Sequence, residues 1–283
     1  MPPPDTWIGL VDAGLREDLG SGDATSELLV PSGRHGEARL EARAPLVVAG
    51  LGVVQEVFGR LGVAFEPHCS DGDARDAGEL LARVTGPARG ILAAERTALN
   101  FLQHLSGIAT QTRRFCDAVA AHPVEIVDTR KTLPGFRSLA KFAVRCGGGA
   151  NHRMGLYDGI LIKDNHIAAV GSLARAVEQA RAGNRSRRPV QVEVESLEQA
   201  REAVAAGAQA LLIDNQPAAE IARIVAAIRV ERPDVLLEAS GSITLENVAS
   251  IVETGVDRIS VGALTHSAAA ADIALEWNDP SSS

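Results

Sequence analysis

Residues 190–214 read VQVEVESLEQAREAVAAGAQALLID. Two mainly apolar runs flank a segment of helical period, and each run ends in an acidic residue. Ser196 and Gln199 have the spacing of a capping box, which predicts the start of the helix, and Gly207 predicts its end. Strands with so many apolar residues are typical of parallel sheets covered by helices. The stretch is therefore predicted to be one strand–helix–strand unit of an α/β fold.

The same pattern extends in both directions along the chain. Amphipathic segments of helical period occur at 172–183, 217–230 and 244–255, with glycine at two of their ends. Such a βα repeat predicts either a barrel or a doubly wound sheet. The predicted strands are VEIVD (124–128), GILIK (159–163), VQVEVE (190–195), ALLID (210–214), VLLEAS (235–240) and RISVG (258–262).

The first hundred or so residues have a different pattern. Residues 7–20 place apolar side chains at helical spacing, and residues 37–50 and 79–90 alternate and are broken by Gly and Pro. These features predict a helix and short antiparallel strands. A long helix is predicted at 91–110. We interpret the region as a separate α+β domain that ends near Leu105.

Composition excludes several classes of protein. The net charge of -8 disfavours a general nucleic-acid binder, which needs a basic face. No apolar run approaches the length of about 20 residues that a membrane-spanning helix requires, and MPPPDTW at the N-terminus lacks the features of a signal peptide. The three cysteines are widely spaced and suggest free thiols rather than disulfides or a zinc site. We therefore expect a cytoplasmic protein with neither nucleic acid nor membrane as a partner.

Positive charge is concentrated between Thr129 and His166. This segment contains seven Lys or Arg residues against two Asp, in an acidic chain. Like charges repel and are costly to desolvate, so such a cluster predicts an anion-binding site. Lys141 and Arg145 fall on the polar face of a predicted helix, and we expect that face to be solvated. The better ligand candidates flank strand ends or glycine loops: Arg130, Lys131, His152, Arg153 and Lys163.

Polar residues also follow the predicted strands in succession. In parallel α/β folds the carboxyl ends of the strands form the ligand-binding rim, and a barrel makes them converge on one mouth. The residues at these ends are Asp128, Lys163, Glu193, Glu195, Asp214, Ser240 and Gly262.

Two later turns suit a phosphate. Ser240-Gly241-Ser242 precedes a helix predicted to begin near Thr244, so free N–H groups and the helix dipole would point at a ligand. Gly262-Ala263 follows the last strand, a common companion site in barrels. Both segments are equally compatible with ordinary tight βα turns that bind no ligand.

Glu193 and Asp214 lie on neighbouring predicted strands. Together they could hold Mg²⁺ through water, as phosphorylated substrates usually require. The alternative is a salt bridge from these acids to the facing cations. Glu195 shares a face with Glu193 but runs into the following helix cap, so it is the weaker candidate.

With these residues assembled, the sequence resembles the quinolinate phosphoribosyltransferase family over nearly its whole length. The long central motif is highly specific, and its polar positions show no departure from the family pattern. The segments that carry the resemblance are REDLGSGDATS (16–26), AERTALNFLQHLSGIAT (94–110), DTRKTLPGFRSLAKFAVRCGGGANHRMGLYDGILIKDNHI (128–167), VEVES (192–196), LLIDN (211–215), LEASGSI (237–243) and GVDRISVGALTHS (255–267).

The resemblance implies a two-domain subunit. An N-terminal α/β sandwich domain would span 1–107, and an incomplete α/β barrel of about seven strands would span 108–267. The tail at 268–283 would pack back on the first domain. A homodimer or an assembly of dimers is also implied, with Arg96 entering the partner subunit's active site. The alternative for Arg96 is a surface salt bridge.

The resemblance further implies a reaction of quinolinate with 5-phosphoribosyl 1-pyrophosphate and Mg²⁺. The products are nicotinate mononucleotide, pyrophosphate and CO₂, a step of de novo NAD biosynthesis. Lys131, Glu193 and Asp214 would be catalytic, and the two acids would hold the metal through water and substrate. The implied substrate contacts are Arg96, Thr129, Arg130, Lys131, His152, Arg153, Lys163, Glu193, Asp214, Ser240, Gly241, Ser242, Val261, Gly262 and Ala263.

Two alternatives remain open from the sequence. One is a paralogue of the same fold that acts on another pyridine or pyrimidine carboxylate, or a relative associated with molybdenum transport. The other is a non-catalytic anion- or nucleotide-binding barrel. The full cationic set favours a dicarboxylate, and the acids at 193 and 214 count against pure anion binding.

Overall fold

A computed structural model describes residues 1–278 of the chain. The strands are β1 (His35–Ala42), β2 (Leu46–Val47), β3 (Ala64–Pro67), β4 (Ala74–Arg75), β5 (Leu80–Pro87), β6 (Glu125–Val127), β7 (Ile160–Ile162), β8 (Val190–Val194), β9 (Ala210–Asp214), β10 (Leu236–Ser240), β11 (Arg258–Ser260) and β12 (Ile273–Trp277). The helices are α1 (Ile8–Leu19), α2 (Ala24–Leu29), α3 (Leu51–Arg60), α4 (Ala88–Ala118), α5 (Arg137–Cys146), α6 (Asp164–Val170), α7 (Leu173–Gly183), α8 (Leu197–Ala205), α9 (Ala218–Glu231), α10 (Val248–Val252) and α11 (Ala263–His266), with a short 3₁₀ helix at Pro4–Thr6.

The chain divides into two compact units. The first comprises Met1–Arg113, Thr132–Gly148 and the chain from Ser267 onward, and the second comprises Arg114–Lys131 and Gly149–His266. This division differs from the predicted boundaries at 107/108 and 267/268, because residues 108–113 and 132–148 belong to the first unit. Residues 279–283 of the predicted tail lie outside the described residues.

Contacts of α5 explain why it belongs to the first unit. Phe136, just before this helix, stacks on Phe101 of α4 with ring centroids 6.1 Å apart. Arg113 Nε donates a hydrogen bond to the carbonyl oxygen of Gly147 at 3.0 Å. Ser138 Oγ donates to the carbonyl oxygen of Thr6. The helix that follows the first predicted strand of the βα repeat is therefore packed on other elements of the first unit.

The first unit contains a four-stranded antiparallel sheet with the order β12-β1-β5-β3 and a two-stranded sheet of β2 and β4. Pairing of β12 with β1 runs from Ala38–Trp277 to Ala42–Ile273, so the described part of the tail lies in this sheet. The predicted antiparallel strands are present. The helix predicted at 91–110 is longer and spans 31 residues as α4.

The second unit contains a six-stranded parallel sheet with the order β6-β11-β10-β9-β8-β7. The first strand of the unit lies beside the last, which is the strand order of a barrel. Ala150 adds a parallel bridge to Val127 on β6, so a seventh short segment extends the sheet. The predicted α/β class, with an N-terminal α/β domain and an incomplete barrel of about seven strands, is confirmed.

The helix caps follow the sequence. Ser196 Oγ accepts the Gln199 N–H at 3.2 Å, while Gln199 Oε1 accepts the N–H of Glu195 at 2.8 Å. The predicted capping pair is therefore present, shifted by one residue at its second bond. Gly207 ends the helical segment with φ +99°, a left-handed conformation that glycine adopts without strain.

Lys141 corrects the predicted solvated face of α5. Its side chain is fully buried, whereas Arg145 is exposed as predicted. A buried ammonium is retained only when its charge is compensated, so Lys141 is a structural group of the interior. Helical periodicity alone assigned it to the wrong face.

The three cysteines are free, as expected, and partly exposed. Burial raises the pKa of the Cys146 thiol to about 12, and the charge of Asp71 adds to the effect. The thiolate is the reactive form of cysteine, so this side chain is inert near neutral pH. Among residues 1–278, none of the helices is both long and apolar enough to cross a membrane.

Candidate active site

A cavity of about 510 Å³ lies at the carboxyl ends of the parallel strands of the second unit. Residues on the inward face of each strand reach it because side chains alternate between the two faces of a strand. The lining residues are Thr129, Arg130, Lys131, His152, Arg153, Leu161, Lys163, Glu193, Leu212, Asp214, Asn215, Glu238, Ser240, Gly241, Ser242, Ile243, Thr244, Ser260, Gly262, Ala263 and His266.

Most of the site residues expected from sequence line this one cavity. Of the fifteen substrate contacts implied by the resemblance, thirteen are among the lining residues. Val261 is buried and is not one of them. Arg96 is exposed on α4 in the first unit. Two rim candidates also fall outside the lining set, because Asp128 is fully buried and Glu195 is exposed to solvent.

The basic wall of the cavity carries two neighbouring guanidinium groups. Burial lowers the pKa of Arg153, and the positive charge of Arg130 lowers it further. An arginine remains charged after such a shift, so the wall holds two cations that repel each other. An anion with two carboxylates would relieve this repulsion, since Arg matches carboxylates with paired N–H donors.

The main chain of Lys131 is held in place beside Gly262. The N–H of Lys131 donates to Thr129 Oγ1 at 3.0 Å, and its carbonyl oxygen accepts a hydrogen bond from Thr265 Oγ1 at 2.8 Å. A Cβ added at Gly262 would lie 3.1 Å from Cδ of Lys131. Glycine at this position therefore leaves the space through which the lysine side chain extends across the mouth.

Lys163 and Glu193 form an ion pair inside the cavity. The lysine side chain is 44% exposed and the glutamate 10%, so the pair lies on the cavity surface. The predicted alternative for Glu193, a salt bridge to a facing cation, is thus present. The exposed ammonium can turn toward a charged ligand, whereas the mostly buried carboxylate then needs another positively charged partner.

Asp214 ends β9 next to Ser240 of β10, with which it is in register. Its Oδ2 accepts a hydrogen bond from Asn215 Nδ2 at 2.9 Å. Asn215 has φ +51°, a conformation that asparagine tolerates better than most residues. This turn and its hydrogen bond hold the carboxylate at the rim.

The turn at 240–242 is built around positive φ angles. Gly241 has φ +93° and Ser242 has φ +51°. Asn247 closes the turn, because its Nδ2 donates to the carbonyl oxygen of Ser242 and its Oδ1 accepts the N–H of Thr244, both at 2.9 Å. Successive N–H groups in such conformations form a concave anion site.

The prediction that a helix begins near Thr244 is wrong. The helix after this turn, α10, starts at Val248 and has five residues. Asn247 holds residues 244–247 in a turn, which delays the helix. A dipole from so short a helix is weak, so the anion-binding capacity of this turn rests on its own N–H groups.

No group of three or more His, Cys, Asp or Glu side chains in residues 1–278 is arranged to hold a metal ion. Glu193 and Asp214 are partly buried carboxylates that line the cavity. Two carboxylates are a donor set that suits Mg²⁺, which keeps water and substrate phosphates among its ligands.

Comparison with known proteins identifies the family. The family description "Quinolinate phosphoribosyl transferase, N-terminal domain" matches residues 23–106, and the corresponding C-terminal domain matches residues 108–276. The chain belongs to the quinolinate phosphoribosyltransferase family. The resemblance drawn from the sequence motifs is thereby confirmed.

Individual members of the quinolinate phosphoribosyltransferase family are similar over most of their length. Nicotinate-nucleotide pyrophosphorylase [carboxylating] of Mycobacterium leprae is 46% identical, with 93% of this chain and 94% of that protein covered. A probable nicotinate-nucleotide pyrophosphorylase [carboxylating] of Bacillus subtilis is 43% identical, with 92% and 89% covered. The structure of the nicotinate-nucleotide pyrophosphorylase from Francisella tularensis superposes with a TM-score of 0.91 at 38% identity and 98% coverage of both chains.

Sequence reasoning missed several lining residues of this family member. Glu238 is the most informative, since it is a fully buried carboxylate. It lies two residues before Ser240 on β10, so the period of two that places Ser240 inward also places Glu238 inward. Ser260 stands in the same relation to Gly262. The alternation that indicates both residues is therefore present in the sequence of these two strands.

Proposed function

We propose that this protein transfers the phosphoribosyl group of 5-phosphoribosyl 1-pyrophosphate to quinolinate. Loss of the 2-carboxylate then gives nicotinate mononucleotide, pyrophosphate and CO₂, a step of de novo NAD biosynthesis. The observation that carries the proposal is a single cavity lined by a cationic wall, two carboxylates and a turn whose N–H groups suit an anion. Membership of the quinolinate phosphoribosyltransferase family supports it. We place the reaction in the cytoplasm, where the free thiols would remain reduced.

The cationic wall is the proposed quinolinate site. Arg130 and Arg153 receive the two adjacent carboxylates, and Lys163 leaves Glu193 to join them. Lys131 reaches from the mouth toward quinolinate or the sugar diphosphate. The mutual repulsion of the two arginines supports this assignment, because a dianion compensates both charges at once.

The rim carboxylates are the proposed ribose and metal site. Glu193 and Asp214 bind the ribose hydroxyls and would hold Mg²⁺. The metal ion, when bound, neutralises charge on the departing pyrophosphate. The same two carboxylates face the positive charge that develops at the ribose carbon and stabilise it electrostatically.

The two later turns are the proposed 5-phosphate site. N–H groups of Gly241 and Ser242 point toward the phosphate from one side, and those of Gly262 and Ala263 from the other. Both turns line the cavity, which supports the pairing. Phosphate held at this end aligns the ribose carbon with the pyridine nitrogen.

The bond changes follow from this arrangement. The ring nitrogen of quinolinate forms a bond to the ribose carbon as the bond to pyrophosphate breaks. The resulting pyridinium accepts the electron pair released when the 2-carboxylate leaves as CO₂, and a proton then adds to that ring carbon. Catalysis therefore rests mainly on positioning and electrostatics, and no organic cofactor is involved.

A single assay tests the proposed function. Purified protein with quinolinate, 5-phosphoribosyl 1-pyrophosphate and Mg²⁺ is expected to release CO₂ and nicotinate mononucleotide in equal amounts. Omission of Mg²⁺ in the presence of a chelator should stop the reaction. Absence of turnover, or equal turnover with nicotinate, would contradict the proposal and favour a paralogue or a non-catalytic binder.

We propose further that the protein works as a homodimer in which Arg96 completes the partner's site. The position of Arg96, exposed on a helix of the first unit, supports a role at an interface. Mixed dimers of an Arg96→Ala subunit with a Lys131→Ala subunit should recover activity, at about one working site per heterodimer.

The matched control for this experiment is a mixture of Arg153→Ala and Lys131→Ala subunits. Both residues line the same cavity, so each subunit carries one defect in its own site and the mixture should stay inactive. If the first mixture is as inactive as this control, Arg96 does not act across an interface.

A further inference from the structure

Glu238 is a buried carboxylate to which the reaction above gives no role. Its side chain is 1% exposed, and the residue lies in the middle of β10 between Leu237 and Ala239. Gln191 Nε2 donates a hydrogen bond to its Oε2 at 2.9 Å. Its Oε1 faces His152 Nε2 at 3.5 Å and has no hydrogen bond within residues 1–278.

A carboxylate at this place is costly to bury. On the neighbouring strand Leu212 is in register with Glu238 and lines the same cavity with an apolar side chain. An apolar residue at 238 would avoid the cost of desolvating a charge. The carboxylate therefore must do something that packing alone does not.

The hydrogen bonds of His152 show which ring nitrogen carries the proton. Nδ1 accepts the main-chain N–H of Arg153 at 2.7 Å, so it is unprotonated. In a neutral imidazole the proton is then on Nε2, the nitrogen that faces Glu238. The main-chain N–H of His152 donates to Asp128 Oδ1 at 2.9 Å. Nδ1 is thus engaged by a hydrogen bond, and Nε2 faces the Glu238 carboxylate at 3.5 Å.

The imidazole of His152 lies beside two cavities. His152 and Arg153 line the active-site cavity and also a second cavity of about 420 Å³, which includes Gln191, Leu236 and Arg258. The side chain of His152 is 15% exposed, and the carboxylate of Glu238 is a charged group that faces its Nε2. Gln191 on β8 bonds to that carboxylate across the intervening strand β9.

We propose that Glu238 is a positioning residue for quinolinate binding, acting through His152. Gln191 orients Glu238, Glu238 holds the imidazole with its proton on Nε2, and Nδ1 then fixes the main chain of Arg153. The guanidinium is presented to the substrate carboxylate as a result. The proposal rests on the proposed function for the identity of the substrate.

Two variants of Glu238 separate positioning from general packing. Glu238→Leu removes the carboxylate and should raise the KM for quinolinate by about tenfold or more, while the KM for the sugar diphosphate changes less than about threefold. Glu238→Gln keeps an acceptor for Nε2–H and should restore the quinolinate KM to within about threefold of the wild type. A loss of packing would affect both substrates and would not be rescued by glutamine.

The pathway through His152 is tested by a double-mutant cycle. If Glu238 acts only through the imidazole, Glu238→Leu should have no further effect on the quinolinate KM in a His152→Ala background. If the quinolinate KM of the double variant instead rises by the product of the two single-variant increases, the proposal is wrong. An unchanged quinolinate KM in Glu238→Leu would also overturn it.

A spectroscopic measurement tests the role of Glu238 without the enzymatic assay. Nitrogen-15 shifts of the His152 ring in the wild type should identify Nδ1 as unprotonated and Nε2 as protonated. The Arg153 N–H still selects this tautomer in Glu238→Leu, so the variant should keep it and change the shift of Nε2, which loses the carboxylate beside it. A wild-type ring protonated on Nδ1 would overturn the proposal. If the wild-type protein does not convert quinolinate, the proposed function is wrong. The nitrogen-15 measurement on His152 still tests the role of Glu238 in that case.

Discussion

Arg153→Ala is expected to abolish measurable quinolinate binding while the protein stays folded. The guanidinium is half-buried, and its Nη1 lies 3.4 Å from the carbonyl oxygen of Gly159. Truncating one partner of a buried charged contact typically costs about 2–5 kcal/mol, which corresponds to an affinity loss of about 30-fold to more than 1,000-fold. Isothermal titration calorimetry with quinolinate measures this loss, and circular dichroism checks the fold.

Arg145→Ala is the matched control. Arg145 belongs to the same cationic segment but is exposed on α5 and stacks over Phe142 at 5.9 Å. Its removal should leave the quinolinate affinity unchanged within about twofold, since distant surface charges are screened by salt. Wild-type affinity in Arg153→Ala, or an equal loss in both variants, would refute the assignment of the quinolinate site.

Gly241→Ala is expected to weaken the binding of the sugar diphosphate by about 30-fold or more, because it distorts the turn that receives the 5-phosphate. An added Cβ would meet the side chain of Asn215 and lie 2.8 Å from its main-chain nitrogen. Gly241 also has φ +93°, where a non-glycine residue costs about 1–2 kcal/mol. The turn at 240–242 must therefore shift. Titration of the sugar diphosphate with Mg²⁺ measures the affinity.

Gly255→Ala isolates the effect of backbone strain. Gly255 has φ +84°, close to the angle of Gly241, but the nearest atom to an added Cβ is Val225 Cγ1 at 3.6 Å. Both variants should lose about 1–2 kcal/mol of unfolding free energy from strain, and only Gly241→Ala should also lose affinity. If Gly241→Ala binds the sugar diphosphate as tightly as Gly255→Ala does, the turn is not the phosphate site.

The sequence was sufficient for the parallel sheet and for most of the rim. Six apolar runs became six strands because each combines a buried apolar core with helical segments that can cover it. Most of the residues at the strand ends then reached the cavity, whereas Asp128 and Glu195 did not. Lys163, Glu193, Asp214, Ser240 and Gly262 were all found in this way.

Other features required the tertiary structure. Lys141 has the spacing of a solvated helix face, yet it is buried, because the partners that surround a helix are not encoded in its own period. The turn after β10 delays the start of α10 to Val248, because the side chain of Asn247 forms hydrogen bonds with the main chain of Ser242 and Thr244. A side chain-to-main chain competition of this kind is not visible in a propensity pattern.

The sequence by itself therefore determined the family, the βα repeat and the chemical character of the site, since these depend on local period and residue type. Only the tertiary structure decided that Lys163 pairs with Glu193 and that His152 lies between Glu238 and the main chain of Arg153. Those contacts join residues at least thirty positions apart or depend on ring orientation. Their physical basis is the barrel, which brings the inward faces of separate strands within a few ångströms of one another.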